Sequence, residues 1–418
     1  MNHGVWDNLA TDRGTRRGRH RRRGTILIVT MAVSFTLAGV VLVLCRSMAV
    51  EAIASANEAA GVQADAIERG AEQYVLGLLF NNSTQPVMAL TDDYFAGIPV
   101  GDGFFWILRP GYDDPSLPAF GLVDEASKLD INRATVDQLM MIPGMTDDVA
   151  AAIVDWHSGT NAQPQAGGAK DDYYLSLPDP YYCKNAPYET VEELLLVRGV
   201  TRQMLYGDGT APPLGDTSTV MQGDNNLNFN NPNLSRGLYD LFTVNSQARV
   251  TNVIGGGGNV GGATSTVTPG RINVNTAPRE VLMCIPGLTQ ADVDAIVAYR
   301  GSNLTMDNTT TNWLSTAMGH NPGGDVANAI TGSSLRYSAD ILAVSGNGRA
   351  FKRVRIIVDT TTQPMSIIYR RDITERGWPM DTQILTSLRN GTYAGQATGT
   401  SGGSHFGSSS SSMGGALR

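Results

Sequence analysis

The sequence predicts an α+β chain on three observations: an uncharged apolar run near the amino terminus, an internal repeat in the middle, and alternating β-rich runs near the end. The run Thr25–Cys45 carries no charge over 21 residues. At about 1.5 Å per residue that is about 30 Å, the thickness of a bilayer's hydrocarbon. It predicts one membrane-crossing helix. Seven arginines (Arg13, Arg16, Arg17, Arg19, Arg21, Arg22, Arg23) precede it and Arg46 follows it. The positive-inside rule therefore keeps residues 1–24 in the cytoplasm and exports the rest. With Asp7 and Asp12 the leader sums to +5, and since the whole chain is −8 the remainder carries −13. A basic head thus precedes an acidic body.

After Arg46 an Ala-rich stretch places Val50, Ile53, Val62, Ile67, Tyr74 and Leu78 among Glu51, Glu58, Asp65, Glu68 and Glu72, with no Pro, so one helix is expected over 25–80. Asn81-Asn82-Ser83 ends it. Residues 81–128 hold short aromatic and aliphatic runs such as Phe104-Phe105-Trp106-Ile107-Leu108, broken by Gly-Asp and Pro-Gly, which suit one or two strands.

The repeat lies within 129–336. Leu129-Asp-Ile-Asn132 and Leu139-Met-Met-Ile142-Pro143-Gly144-Met145-Thr146 recur 143 positions later as Ile272-Asn-Val-Asn275 and Leu282-Met-Cys-Ile285-Pro286-Gly287-Leu288-Thr289. A shorter copy, Thr190-Val-Glu-Glu-Leu194 with Val197-Arg-Gly199-Val-Thr201, stands 55 residues after the first. Each predicts a helix hairpin: Asn or Thr caps the first helix, Leu and Ile line one face, the turn at Pro143-Gly144, Gly199 or Pro286-Gly287 breaks the chain, and Thr caps the second helix. These are helix-hairpin-helix units. Residues 207–270, with Asn225-Asn226, Asn230-Asn231 and Gly255–Gly258, read as a loop-rich insertion. Residues 337–378 alternate in three runs and predict an antiparallel meander, and the Gly/Ser-rich 379–418 predicts a disordered tail.

Hairpins of this kind often bind nucleic acid through a Gly-apolar-Gly turn whose N–H groups reach a phosphate. Here the second Gly is replaced by Thr146, Thr201 and Thr289, Asp147-Asp148 follows the first turn, and the exported part is acidic. A membrane-anchored DNA-binding protein of a competence-like uptake system is the competing reading; the charge opposes it, and no nucleic-acid partner is expected. No catalytic residue is expected either. His3, His20, His157, His320 and His405 are scattered, there is no Cys/His metal spacing, and Gly255–Gly258 lacks the Lys-Ser/Thr of a phosphate loop. Cys183 and Cys284 leave two alternatives, one bridge or two thiols.

A cleaved Sec signal would also show a basic then an apolar region, but the apolar run is long and Ser47-Met48-Ala49 is a poor cleavage site. The junction Arg21-Arg22-Arg23-Gly24-Thr25-Ile26-Leu27 resembles instead the leader of type IV pilins and pseudopilins. That resemblance implies cleavage between Gly24 and Thr25 by a prepilin peptidase. Val29 then stands at the fifth mature position, where most such subunits carry Glu. The stretches Ala166-Gly-Gly-Ala-Lys-Asp-Asp-Tyr-Tyr-Leu-Ser-Leu and Lys184-Asn-Ala-Pro-Tyr-Glu-Thr-Val-Glu-Glu-Leu-Leu-Leu-Val-Arg-Gly-Val-Thr, in this order of parts, resemble the minor pseudopilin K family of type II secretion, also called general secretion pathway protein K. The resemblance covers about residues 20–378. It implies a pseudopilin fold, a long helix on a small antiparallel sheet with 129–336 inserted as a helical domain, and a place at the pseudopilus tip beside minor pseudopilins I and J. It also implies calcium in the inserted domain, for which Asp171 and Asp172 are the candidate ligands.

Overall fold

The computed structural model describes residues 21–81, 94–109, 120–160, 162–206, 237–252, 264–302 and 310–393. Contacts divide the chain into two compact units, 1–59 and 60–418. The described part of the first is helix throughout, the opening of α1 (Arg21–Asn81). Every side chain from Thr25 to Cys45 is exposed, and the helix is long and apolar enough to cross a membrane. Val29 is 59% exposed within it. Residues 1–20 of the expected leader lie outside the described residues.

In the second unit, α1 buries Ala60, Ala64, Ile67, Glu68, Ala71, Glu72, Val75, Leu78 and Leu79, spaced by three and four so that they share one face. Three strands follow, β1 (Ile98–Val100), β2 (Gly103–Leu108) and β3 (Val123–Asp124), and then β4 (Leu129–Asp130). The helical region holds α2 (Val136–Met140), α3 (Asp147–His157), α4 (Asp171–Tyr174), a 3-10 turn at Val191–Leu196 and α5 (Arg202–Tyr206). Next come β5 (Phe242–Thr243), the antiparallel ribbon of β6 (Ala248–Asn252) and β7 (Thr264–Thr268), and β8 (Ile272–Asn273). The region closes with α6 (Arg279–Met283), α7 (Gln290–Ser302), α8 (Leu314–Met318), α9 (Gly324–Ala329) and β9 (Ile330–Thr331). Last are β10 (Arg336–Val344), β11 (Phe351–Asp359), β12 (Ser366–Asp372) and α10 (Thr382–Arg389).

The main sheet is antiparallel in the order β1-β2-β10-β11-β12, with β3 also on β10. The chain thus leaves this sheet after β3 and returns at β10. Its register sets Ile107 beside Ile341 and Ile341 beside Val354, so these share a face with Ala339, Ala343 and Ile356. They form one apolar core with Ile67, Ala71 and Val75 of α1. Helix and sheet approach closely at Gly103, where a Cβ would fall 2.4 Å from Ile67 Cδ1 and 2.4 Å from the Val344 carbonyl oxygen.

At the β12 edge the helix meets the sheet through charge. Arg370 donates to Glu68 at 2.8 Å and to Glu72 at 2.6 Å. Glu68 is 1% exposed, well past the apolar run that ends at Cys45. Burial first, then the Glu72 side chain, lifts its carboxyl from 4.5 to about 7 against the pull of Arg370. A proton held more tightly in the folded state gives stability that is full below 4.5 and lost as pH rises through about 7. Chemical denaturation should therefore show stability declining across that window, and Glu68→Gln should flatten the decline, adding roughly 2–3 kcal/mol at about pH 8. A variant with the wild-type pH slope would show that Glu68 stays ionised throughout.

Three expectations change. The third repeat copy is a 3-10 turn and a five-residue helix, because Thr190 and Glu193 form a capping box only a few residues before the Val197-Arg-Gly break. The 207–270 insertion is not all loop: Leu238–Asp240 is a 3-10 turn, β5 to β7 follow, and only 207–236 and 253–263 lie outside the described residues. Nor is 379–418 a structureless tail from its start. Asp381 accepts the Gln383 N–H at 2.8 Å and caps α10, which buries Leu388 in the sheet's core; Met380 is buried there too. Residues 394–418 lie outside the described residues.

Candidate functional site

The two full repeat copies begin alike. Asp130 accepts the Asn132 N–H at 3.0 Å and Asn273 accepts the Asn275 N–H at 3.1 Å, each turning the chain from a two-residue strand into its helix pair. The pairs α2/α3 and α6/α7 bury Leu139, Ile142, Ile153, Leu282, Ile285 and Ile296 in one common core. Gln138 Nε2 donates across to the Cys284 carbonyl at 3.2 Å. Gly144, Gly199 and Gly287 hold φ of 81°, 80° and 89° at the turns, beside Pro143 and Pro286. Thr201 and Thr289 accept N–H groups of their following helices at 3.1 and 3.2 Å, whereas Thr146 makes no side-chain cap.

Asn132 then reaches forward. Its amide donates to the Tyr188 carbonyl at 3.0 Å and accepts the Tyr188 N–H at 2.7 Å, while the Tyr188 hydroxyl donates to the Ile153 carbonyl at 2.9 Å. Trp156 and Tyr174 pack edge to face at 5.1 Å. These contacts draw residues 165–188 over the end of α3. Gly167 and Gly168 permit it. Beta carbons there would fall 2.4 Å from Asp148 Oδ1 and 1.9 Å from Asp155 Oδ2. Asp155 is fully buried, and both its oxygens accept the Gln165 N–H, at 3.0 and 3.1 Å. Burial raises its pKa against the Gln165 and Ala169 N–H groups and the Lys170 charge. Arg198 closes the loop, donating to the Gly167 and Gly168 carbonyls at 3.3 and 3.2 Å, near Asp148 at 3.6 Å, over the Tyr173 ring at 5.1 Å.

Asp171 and Asp172 open α4. Asp171 Oδ1 accepts the Cys183 N–H at 2.8 Å, and Asp172 is exposed. Cys183 and Cys284 are buried thiols, and burial pushes Cys284 up to about 12 and Cys183 upward. Neither is poised as a nucleophile. Among the described histidines, His157 Nε2 is buried without a hydrogen-bond partner, and His320 pairs with Asp292 at 2.8 Å while Thr289 donates to the other Asp292 oxygen at 2.7 Å. That last group is a helix cap with no nucleophile in it. His3, His20, His405 and Gly255–Gly258 lie outside the described residues.

Below the repeats a second polar cluster joins the helical core to the sheet. Glu125, 2% exposed, accepts from Lys128 at 2.6 Å and Ser338 at 2.6 Å, and in a short contact from Thr243. Burial alone would raise this carboxyl, but Lys128 and the two hydroxyls hold it below its usual range. Asp124 beside it accepts from Asn273 at 2.6 Å and Thr276 at 2.8 Å. On the same side, Asp340 of β10 accepts from Arg353 at 2.6 Å and Arg355 at 3.4 Å, and Arg355 lies over Tyr239 at 4.6 Å.

Residues 121–206, which contain both the loop over α3 and this acidic pair, match the family model of the type II secretion system protein K. The similarity to that family lies in this segment, 86 of the 418 residues. A chain from the crystal structure of the GspK-GspI-GspJ complex of the enterotoxigenic Escherichia coli type 2 secretion system is similar at 12% identity and a TM-score of 0.44, covering 74% of this chain and 95% of that one. No curated protein matches the chain. Of the expected site residues, the matched segment contains the turn residues Pro143, Gly144 and Gly199 and the carboxylates Asp171 and Asp172. Gly24, Thr25 and Val29 lie in α1, and Pro286 and Gly287 in the second repeat copy. Lys170, Asn185 and Asp155, which the fold draws together around α3, are not legible as a site from sequence. The only signal for them is the Gly-Gly pair two residues before a lysine.

Proposed function

We propose that this chain is a minor pseudopilin of a type II secretion system, standing at the tip of the pseudopilus beside minor pseudopilins I and J. The match of residues 121–206 to protein K carries the reading. The exposed apolar start of α1 supports a single inner-membrane span with a cytoplasmic amino terminus and an exported body. Prepilin peptidase cuts between Gly24 and Thr25. Glu at the fifth mature position of such subunits neutralises a neighbour's terminal amine within the membrane, where an unpaired charge is costly. Val29 suits a subunit with no neighbour above it, and the helical domain would obstruct any subunit stacked there. The role is structural, assembly and initiation of the fibre, and not enzymatic.

The test is co-purification of the membrane-extracted full chain with its two partner pseudopilins, followed by crosslinking and amino-terminal sequencing. One three-subunit complex, with this chain beginning at Thr25 and crosslinked at one fibre end, is the expected result. A chain that stays apart from both partners, or is found along the shaft, ends the tip assignment.

A further inference from the structure

The loop over α3 is closed by an ammonium. Lys170 Nζ donates to the Ser158 carbonyl at 2.9 Å, to Ser158 Oγ at 3.0 Å and to Asn185 Oδ1 at 2.9 Å. An ammonium has three N–H donors and no acceptor, so three oxygens satisfy it fully. Each partner is fixed in turn. Ser158 ends α3, its N–H on the Val154 carbonyl at 3.1 Å and its hydroxyl donating to the Asp155 carbonyl at 3.0 Å. Asn185 sits at φ 51°, where its N–H reaches the Trp156 carbonyl at 3.0 Å and its amide the Cys183 carbonyl at 3.1 Å. The cation therefore stands at the carboxyl end of an 11-residue helix, where the helix dipole favours positive charge.

Two of the carboxylates nearby accept from the backbone, and the third lies exposed at the surface. Asp155 faces the backbone N–H groups of Gln165 and Ala169, Asp171 faces the Cys183 N–H, and Asp172 is exposed. Calcium takes six to eight oxygens, several of them from carboxylates. Among the described residues no three His, Cys, Asp or Glu side chains converge on one point. A divalent ion on the Ser158 and Asn185 oxygens would also meet the Lys170 charge at contact distance. The donor set does not fit calcium.

We propose that the Lys170 ammonium is the resident cation of this helical domain, holding residues 165–185 against the end of α3 so that the domain folds and stays closed without a divalent metal. The position is a cation site with its cation covalently supplied. The inference stands on these residues alone and is independent of the tip assignment.

The full chain in detergent tests it by thermal melting and hydrogen exchange, in chelator and in calcium up to about 10 mM, above the roughly 10⁻⁴–10⁻³ M at which extracellular calcium modules bind. Wild-type protein should melt at one temperature in both, with the Gln165 and Asn185 amides equally protected. Lys170→Met should melt lower in both and lose protection at those amides. Lys170→Glu, which sets a carboxylate against the same oxygens, should be the less stable in chelator and regain several degrees in calcium, since a ligand at 100 times its Kd shifts a domain of this size by roughly 5–10 °C. Saturable one-to-one binding of calcium by the wild type with a rise in its melting temperature would overturn the proposal. So would a Lys170→Met chain that matches the wild type at every amide. Should the variants fail to fold, the wild-type comparison decides alone.

Discussion

Replacing Glu125 by Ala is expected to destabilise the protein by about 3–5 kcal/mol, the usual cost of removing one partner from a buried ion pair. The loss has named parts. Lys128, 6% exposed, would keep its charge with no carboxylate beside it, and the Thr243 and Ser338 hydroxyls would lose their acceptor. Because Thr243 belongs to the helical core and Ser338 to the sheet, the variant should also unfold in two steps where the wild type unfolds in one. The pH dependence has a definite sign. Glu125 is held below its usual 4.5, so its contribution is full above 4.5 and lost as pH falls through the lower folded value; wild type and variant should converge in acid. Urea denaturation followed by tryptophan fluorescence reads all three. A loss under about 1 kcal/mol would match an exposed ion pair and contradict the burial.

Gly168→Ala should cost about 2–4 kcal/mol, because the new methyl and the Asp155 carboxylate claim the same volume and the carboxylate cannot leave without stranding a buried charge or the Gln165 N–H. A double-mutant cycle separates clash from backbone strain. In an Asp155→Ala background the same substitution should cost well under half as much, since the atoms it meets at 1.9 and 2.8 Å are gone. Equal costs in both backgrounds would assign the effect to the backbone. Hydrogen exchange at Gln165 and Ala169 locates the damage.

What could be read from sequence follows from where the physics is local. The helical face of α1 is written in the spacing of Ile67, Ala71, Val75 and Leu78, and the strands β10 to β12 in the alternation after Tyr337. The repeat was visible because an Asx turn, a helix cap and a Pro-Gly break each need particular residues at fixed offsets. The cluster of Asp340, Arg353 and Arg355 was not visible as a covered one. At alternate positions of two strands they read as a solvent face, and only the second layer packed on that side buries Asp340 and covers most of Arg353 and Arg355. Helix α10 was hidden by its Gly- and Ser-rich surroundings, although Asp381 and Leu388 carry its cap and its anchor. The cage around Lys170 combines Ser158, at a helix end, with Asn185, fifteen residues beyond the lysine, a pairing that no periodicity encodes.

The short parallel pairing of β4 with β5 matters for how this protein can be divided. Leu129 and Asp130 take their ladder partners from Phe242 and Thr243, and Ile131 donates its N–H to the Thr243 carbonyl at 3.0 Å. Glu125 draws on Thr243 as well. The segment that matches protein K ends at residue 206, short of all these partners. Excised at its own boundaries, it would carry an unpaired strand, an acid stripped of a donor and the apolar side that Leu282 and Ile285 now cover. The segment that matches the family model is therefore smaller than the compact unit it lies in, and a fragment that keeps these contacts has to run from before Glu125 to beyond Ser338.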